Sequence, residues 1–236
     1  MKYFITFAAG NQDYINAGNR IINQAKNTKL FDKHIFYNEK YLQNNNTFWN
    51  LHKDFILKNK RGFGYWLWKP FIILQTFNLA KNGDTILYLD SGCEINYKNT
   101  TKINNLKKYI NIIKNYKIIG TTTCKEKEWN KIDLILHLNL LDDKYLETPQ
   151  RCGGTNLFYV CNETRKIVQE WYNLACNYHF IDDSPSQNQN YNCFKEHRHD
   201  QSIFSLLLKK YNLCNNCNLR TCIEIARNRT GKSRFI

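Results

Sequence analysis

A single acidic residue at the end of an apolar run is the feature of this chain best suited to chemistry. Residues 85–89 (TILYL) predict a short buried strand, and Asp90, Ser91 and Gly92 follow it directly. A carboxylate at the carboxyl end of a strand lies where open α/β sheets bind ligands. Hard cations such as Mg²⁺ or Mn²⁺ prefer oxygen ligands, so Asp90 is the candidate metal ligand, with the Ser91 hydroxyl beside it.

A lysine precedes this strand at the predicted start of a helix. Lys69 stands immediately before Pro70, which favours the first turn of a helix. A phosphate at that position would meet both the ammonium group and unpaired backbone N–H groups. We therefore expect Lys69 and Asp90 to serve one phosphorylated ligand. Trp66 and Trp68 could form a platform for a sugar ring, or could pack in the core.

Two stretches in the second half of the chain carry further candidates. Asp200 opens the apolar run 203–208 and follows His199, so either side chain could accept a proton during catalysis. Asp200 is equally well placed to act as an N-cap. Gly153 and Gly154 open a predicted strand, where they allow a ligand to approach the backbone or simply form a turn.

The amino-terminal segment predicts a β-α-β unit and therefore a parallel pair of strands. Phe7, Ala8 and Gly10 lie at its first loop, where small residues let a ligand approach the backbone. Tyr14 and Tyr37 could stack on a nucleobase or pack in the core.

A basic tail follows residues 222–226, which predict a last strand. Arg227 and Arg229 could fold back onto a diphosphate, because arginine binds phosphate with two parallel hydrogen bonds. The alternative is a frayed basic end.

Taken in order along the chain, these features resemble the nucleotide-sugar glycosyltransferases of the GT-A fold. The matching features are a small first loop, a lysine before a helix, an Asp-ended strand, a Gly-Gly strand and an Asp-Gln helix. The family's Asp-x-Asp motif corresponds to Asp90-Ser91-Gly92, where Gly92 replaces the second carboxylate. The resemblance implies an α/β fold with a Rossmann-like, mostly parallel sheet flanked by helices, in one domain spanning residues 1–236.

The same resemblance implies an activity and its partners. The chain would move a sugar from a nucleoside diphosphate donor, with UDP-sugars favoured, to a hydroxyl of a glycan, a lipid-linked acceptor or a protein. Mn²⁺ or Mg²⁺ held by Asp90 would assist. Short length and a bias toward Asn, Lys and Ile resemble glycosyltransferases of bacterial surface-polysaccharide synthesis or of large viruses.

Composition narrows the class of partner. The chain has 34 Lys and Arg against 20 Asp and Glu, a net charge of +14, which attracts polyanions. No nucleic-acid-binding motif is present, so we expect a phosphorylated donor and a peripheral contact with an anionic membrane rather than nucleic acid. Nine scattered cysteines and the lack of a signal-peptide pattern predict a cytoplasmic location.

Two alternative functions fit some of these observations. A basic nucleotide- or nucleic-acid-binding protein without transferase activity would explain the charge. A nucleotidyltransferase would also use an Asp-ended strand and a metal, but it needs a glycine-rich phosphate loop that residues 8–11 (AAGN) do not provide.

Overall fold

The structure, a computed structural model, describes residues 1–235 and confirms the α/β class. Five strands form one sheet in the order β2-β1-β3-β5-β4. The strands are β1 (Lys2–Ala8), β2 (Lys33–Asn38), β3 (Thr85–Leu89), β4 (Ile118–Lys125) and β5 (Pro149–Tyr159).

The sheet is mixed, with four strands pointing the same way. Strand β1 pairs in parallel with β2 and β3, which confirms the predicted β-α-β opening. Strand β5 runs antiparallel to both β3 and β4. The carboxyl ends of β1, β3 and β4 therefore meet the start of β5 at one edge of the sheet, and this edge carries the candidate site.

Helices cover both faces of the sheet over two apolar cores. The longer helices are α1 (Gln12–Thr28), α3 (Asn46–Lys58), α5 (Trp68–Leu79), α6 (Thr100–Tyr116), α10 (Asn162–Ala175) and α11 (Asp200–Lys210). The short ones are α2 (Glu39–Asn44), α4 (Gly62–Tyr65), α7 (Glu126–Trp129), α8 (Ile132–His137) and α9 (Asp143–Leu146). Among residues 1–235, no helix combines the length and apolar character needed to cross a membrane.

Strand β3 shows how the sequence pattern directs side chains to the site. Ile86 and Tyr88 belong to the core that contains α5 and α11, whereas Leu87 and Leu89 belong to the core beneath α1 and α6. Successive side chains of a strand point to opposite faces. Asp90 continues the alternation and lies on the Tyr88 side, toward α5 and α11.

The predicted strand at residues 222–226 is replaced by a single backbone bridge between Glu94 and Glu224. This bridge carries the following residues back over the loop after β3, so the tail is packed against the body of the protein.

Candidate functional site

The ammonium group of Lys69 lies between two carboxylates at the carboxyl edge of the sheet. Its Nζ is 3.0 Å from Asp200 Oδ2 and 3.4 Å from Asp90 Oδ1. The side chains of Lys69 and Asp200 are 3% and 4% exposed, whereas that of Asp90 is 42% exposed. The cluster thus presents one carboxylate to solvent and keeps the other two charges inside.

The environment of the cluster shifts the pKa values of Lys69 and Asp200. Burial by itself would lower the pKa of Lys69, but the charges of Asp200 and Asp90 outweigh it and raise that pKa. Burial raises the pKa of Asp200 to about 6, against the opposing effect of Lys69. At neutral pH Lys69 is therefore charged and Asp200 is mostly ionised.

Asp90 is oriented from within its own strand. The Tyr88 hydroxyl donates a 2.6 Å hydrogen bond to Asp90 Oδ1, and the Asp90 N–H donates to the Gly154 carbonyl at 2.9 Å. Oδ1 thus meets Tyr88 and Lys69, and Oδ2 lies against Gly154, while the side chain as a whole remains 42% exposed.

Two glycines give the carboxylates their space. A Cβ at Gly154 would lie 2.8 Å from Asp90 Cγ, and a Cβ at Gly153 would lie 2.9 Å from Asp200 Oδ2. Both distances are too short for a carbon that carries a side chain. The space beside these glycines is therefore filled by the protein's own carboxylates, where the sequence suggested a ligand or a turn.

A bulge in β5 brings the glycines to this position. Between the pairs Gly120–Asn156 and Thr122–Arg151, β4 has one residue and β5 has four. The extra residues leave the β4–β5 ladder, as β-bulges beside functional sites commonly do.

Arg20 is a site residue that the sequence did not reveal as one. Its buried guanidinium donates to the carbonyls of Ser91 at 2.8 Å, Cys93 at 3.0 Å and Asn228 at 3.1 Å, and also to that of Thr230. Arg20 therefore fixes the loop after Asp90 and joins it to the tail. The available signal was an arginine on the inward stripe of an amphipathic helix.

The tail explains why the third motif position can be glycine. A Cβ at Gly92 would lie 3.3 Å from Arg227 Cα, and the Asn228 N–H donates to the Gly92 carbonyl at 3.0 Å. Buried Glu94 accepts hydrogen bonds from Asn228 Nδ2 at 2.8 Å and from the Arg234 N–H at 3.0 Å. Glu94 thus anchors the tail and is not a second ligand beside Asp90.

The tail also places two exposed arginines at the site edge. Arg229 lies over the Tyr14 ring, with 5.5 Å between the guanidinium carbon and the ring centroid. Arg227 follows the loop after Asp90, and exposed Gly10 has a φ of 91° in the first loop. Four of the predicted nucleotide contacts therefore lie on the outer surface: Gly10, Tyr14, Arg227 and Arg229.

Three other predicted contacts lie in the core. The Phe7 ring stacks on Trp68 with centroids 3.8 Å apart, and the Tyr37 hydroxyl bonds Thr76 Oγ1 at 2.9 Å. Phe7, Ala8 and Tyr37 are 4%, 3% and 2% exposed. Neither ring has a free face for a nucleobase, which corrects the expectation for these residues and for a Trp68 platform.

The start of α11 also differs from the expectation. His199 occupies the N-cap position with φ 54° and ψ −126°, and Asp200 is the first helical residue, so its carboxylate reaches the ion pair instead of capping the helix. His199 Nδ1 lies 2.8 Å from the Ile181 carbonyl, and its ring packs against Tyr65 and Trp66. Burial lowers the pKa of His199, so this side chain is a neutral, covered group.

A left-handed turn forms the wall beside His199. Residues 62–66 all have φ between 53° and 81°. Such backbone costs a non-glycine residue about 1–2 kcal/mol, and three of the five are not glycine. Trp68 Nε1 holds the turn by donating to the Gly62 carbonyl at 2.9 Å. Strained backbone of this kind concentrates at functional sites.

The residues present suit a cation that arrives with its ligand. In the part of the chain that the structure describes, no group of three or more His, Cys, Asp or Glu side chains could hold a metal ion. Asp90 can supply one oxygen. Mg²⁺ and Mn²⁺ can bind through one carboxylate when phosphate oxygens and waters fill the remaining positions.

A cavity of about 630 Å³ opens at the same edge of the sheet, beyond β5. Arg151, two residues before Gly153, contributes to its wall together with Thr122, Tyr145, Asn216 and Asn218. The lining is mixed, since Lys144 and Lys209 lie in the same wall as these amides and the Tyr145 ring.

Comparisons with known proteins add a likeness of fold. No protein-family model matches the chain, and neither does any curated protein sequence. Among solved structures, it is similar to mouse xyloside xylosyltransferase 1 in its apo form, with a TM-score of 0.46 and 10% identity. The match covers 92% of this chain and 85% of that chain. At this level the likeness assigns no role to any residue.

Replacing Lys69 by Met should destabilise the protein in a pH-dependent way. Removing one partner of a buried ion cluster costs about 3–5 kcal/mol, and we expect a loss of that size at pH 8. The native pKa of Asp200 is already raised, so the native state binds its proton more tightly than the unfolded chain and gains stability as the pH falls through about 6. Without Lys69 this pKa rises further, so the loss should be smaller at pH 5.

Urea denaturation at the two pH values measures this difference. Lys125→Met is the matched control, because Lys125 forms an exposed ion pair and its loss should leave stability essentially unchanged. A Lys69→Met loss that is equal at both pH values would contradict the ion cluster.

Alanine at the two glycines should have unequal effects. Gly153→Ala pushes against buried Asp200 and should lower the free energy of unfolding by about 1–3 kcal/mol, the usual cost of overpacking. Gly154→Ala meets half-exposed Asp90, which can turn outward, so its loss should be smaller. Urea denaturation of both variants gives the order, and the reverse order would show that the carboxylates are placed differently.

Proposed function

We propose that this protein is a nucleotide-sugar-dependent glycosyltransferase. The observation that carries the proposal is the half-exposed Asp90, held at the carboxyl end of β3 by buried Lys69 and Tyr88. That edge of an open α/β sheet is where such folds bind their ligands. A single outward carboxylate with cations beside it suits a diphosphate that arrives with a divalent metal.

The donor would lie along the edge from β1 to β3. Tyr14, Gly10 and the arginines Arg227 and Arg229 offer a ring, an open backbone and positive charge on that side. We favour a UDP-sugar with Mn²⁺ or Mg²⁺ bound through Asp90. The cation would supply charge stabilisation for the leaving diphosphate.

The acceptor would enter from the opposite side. The cavity lined by Arg151 and Tyr145 is the candidate entry, because Arg151 lies two residues before Gly153 in β5. A bond forms between an acceptor hydroxyl oxygen and the anomeric carbon, while the bond from that carbon to the phosphate oxygen breaks. The electron pair of the broken bond stays on the diphosphate, and Arg227 and Arg229 can stabilise its added charge. The proton of the acceptor hydroxyl passes to an oxygen of the departing diphosphate or to water.

The buried residues have positioning roles in this scheme. Lys69 does not face solvent, so it acts on the donor through Asp90 rather than by binding phosphate itself. Asp200 and His199, which the sequence suggests as proton acceptors, are 3% and 2% exposed. We assign Asp200 to the Lys69 ion pair and His199 to the wall formed by residues 62–66.

A thermal-shift panel with UDP, GDP, CDP and dTDP, each with and without Mn²⁺, tests the proposal. A matching diphosphate at about 100 times its Kd should raise the Tm by about 5–10 °C. Asp90→Asn should lose the Mn²⁺-dependent part of that shift. Asp32→Asn is the control, because Asp32 is an exposed carboxylate that precedes β2 at the other end of the sheet.

Release of the nucleoside diphosphate from its sugar donor then tests transfer. Stabilisation without Mn²⁺ would still support a donor site, but the tail arginines rather than a metal at Asp90 would then bind the diphosphate. No shift with any nucleotide, together with tight and salt-sensitive binding of oligonucleotides, would favour the basic binding protein instead.

A further inference from the structure

A second buried carboxylate lies on the far side of β5, where the proposed reaction does not use it. Glu126, the first residue of α7, is fully buried. It accepts hydrogen bonds from Ser205 Oγ and from Asn130 Nδ2, the latter at 2.7 Å. The nearest ammonium, Lys209 Nζ, is 3.8 Å away, beyond hydrogen-bond reach. Ionised groups are rarely fully buried unless they are paired, and Glu126 is held by these hydrogen bonds and by the charge of Lys209.

A chain of side-chain amides connects Glu126 to the site. Gln150 Nε2 donates to Asn130 Oδ1 at 3.0 Å, and Gln201 Nε2 donates to Gln150 Oε1 at 2.7 Å. The Gly153 N–H donates to Gln201 Oε1 at 3.1 Å. Together with the bond from Asn130 to Glu126, four hydrogen bonds in series join the carboxylate to the glycine that packs on Asp200.

The carboxylate fixes the direction of this chain. A side-chain amide can present either its oxygen or its NH₂ group to a neighbour, whereas an ionised carboxylate only accepts. Glu126 therefore makes Asn130 present its NH₂ group inward, since the carboxylate and, at 2.9 Å, the backbone carbonyl of Glu126 both accept from Asn130 Nδ2. The oxygen of Asn130 then faces outward, and the same order passes through Gln150 and Gln201. The result is a carbonyl oxygen at the Gly153 N–H, where an NH₂ group would leave two donors facing each other.

Gly153 needs such a partner because of the bulge. The residues between Arg151 and Asn156 leave the β4–β5 ladder, so the Gly153 N–H is held by a side chain of α11. A shorter branch serves Arg151, whose N–H donates to Ser205 Oγ at 2.7 Å. Both branches end on Glu126, so one carboxylate anchors the bulge at two points.

We propose that Glu126 is a positioning residue, which acts through Asn130, Gln150 and Gln201 to hold Gly153 and Gly154 against the site carboxylates. The assignment rests on the proposed function for its meaning in catalysis, since those glycines set the places of Asp200 and Asp90. The directed hydrogen-bond chain itself does not depend on the identity of any substrate.

Burial raises the pKa of Glu126 to about 7, against hydrogen bonds from Ser205 and Asn130 and the charge of Lys209. Arg151 and Cys214 are the other titratable groups that interact with it. Measurements are therefore made at pH 8, where the carboxyl is ionised.

Glycine-selective ¹⁵N labelling gives a direct readout, because the chain has only 10 glycines. Amide hydrogen exchange at Gly153 is compared with exchange at Gly18, a buried glycine of α1 that reports overall stability. Gln150→Leu cuts the chain in the middle and Glu126→Leu removes its end. Gln150→Leu should speed exchange at Gly153 by about tenfold relative to Gly18, the factor that corresponds to one lost hydrogen bond. Glu126→Leu should act in the same direction but less strongly, because the backbone carbonyl of residue 126 still accepts from Asn130.

Two further variants separate positioning from general loosening. Glu126→Gln keeps an oxygen for Asn130 and should restore most of the Gly153 protection. Ser205→Ala cuts only the short branch and should leave Gly153 within about twofold of wild type, since its own hydrogen bond remains. Equal acceleration at Gly153 and Gly18 in the leucine variants, or no acceleration at Gly153, would overturn the proposal.

The wild-type protein provides a test that needs no variant. The carboxamide protons of Asn130, Gln150 and Gln201 should exchange slowly in the folded protein, and rapid exchange of all three would also overturn the proposal. If a donor is found, Gln150→Leu should lower kcat by about tenfold or more and leave the donor KM nearly unchanged, because small displacements of reacting groups are costly. If the protein binds no donor, the proposed function is wrong. The exchange data then still test whether the hydrogen-bond chain positions Gly153.

Discussion

The buried ammonium of Lys69 is the constraint around which the edge of the sheet is organised. A charge that is 3% exposed needs close counter-charges, and here it has two, on separate elements of the chain. The two counter-charges reach Lys69 because α11 begins at Asp200 and because Asp90 directly follows the last residue of β3. Strand β5 lies against both carboxylates and has no side chains there, because the residues in contact are Gly153 and Gly154. Each of these features would be unfavourable alone, and together they satisfy one another.

This arrangement separates buried residues that fix the geometry of the site from exposed residues that could contact a ligand. Lys69, Tyr88 and Asp200 are inside, so their geometry does not depend on solvent or salt. Asp90 and the tail arginines are outside, where charge can attract a phosphorylated ligand. A side chain at Gly92, where an Asp-x-Asp motif has its second carboxylate, would crowd the backbone of Arg227.

The parts of this site that the sequence predicts are those with local signals. An apolar run that ends in Asp90 and a proline after Lys69 each mark their own element, and both elements lie where the pattern indicates. The paired glycines mark a strand too, but they lie in the middle of β5 and not, as the sequence predicts, at its start. The ion pair between Lys69 and Asp200 joins residues 131 positions apart, and no local pattern encodes it. Asp200 has the sequence of an N-cap, yet the attraction of a buried cation outweighs a cap hydrogen bond.

Other features were out of reach for a similar reason. Tyr37 and Phe7 carry the residue types of a nucleotide platform, but only the packing of α5 shows that their faces are covered. The left-handed turn at residues 62–66 contains three side chains that disfavour it, so propensity predicts against it. The roles of Arg20 and Glu94 depend on a tail that folds back over more than half of the chain length.

That last feature has a consequence for how the protein folds. Arg20 and Asn228 are 208 residues apart, and their hydrogen bond is one of those that give the loop after Asp90 its shape. Contacts between such distant segments form slowly, because loop closure must precede them. The sheet and its helices can assemble from nearer contacts, so an intermediate with a complete sheet and an unshaped site should form first. Docking of the tail is then the step that gives the loop after Asp90 its final shape.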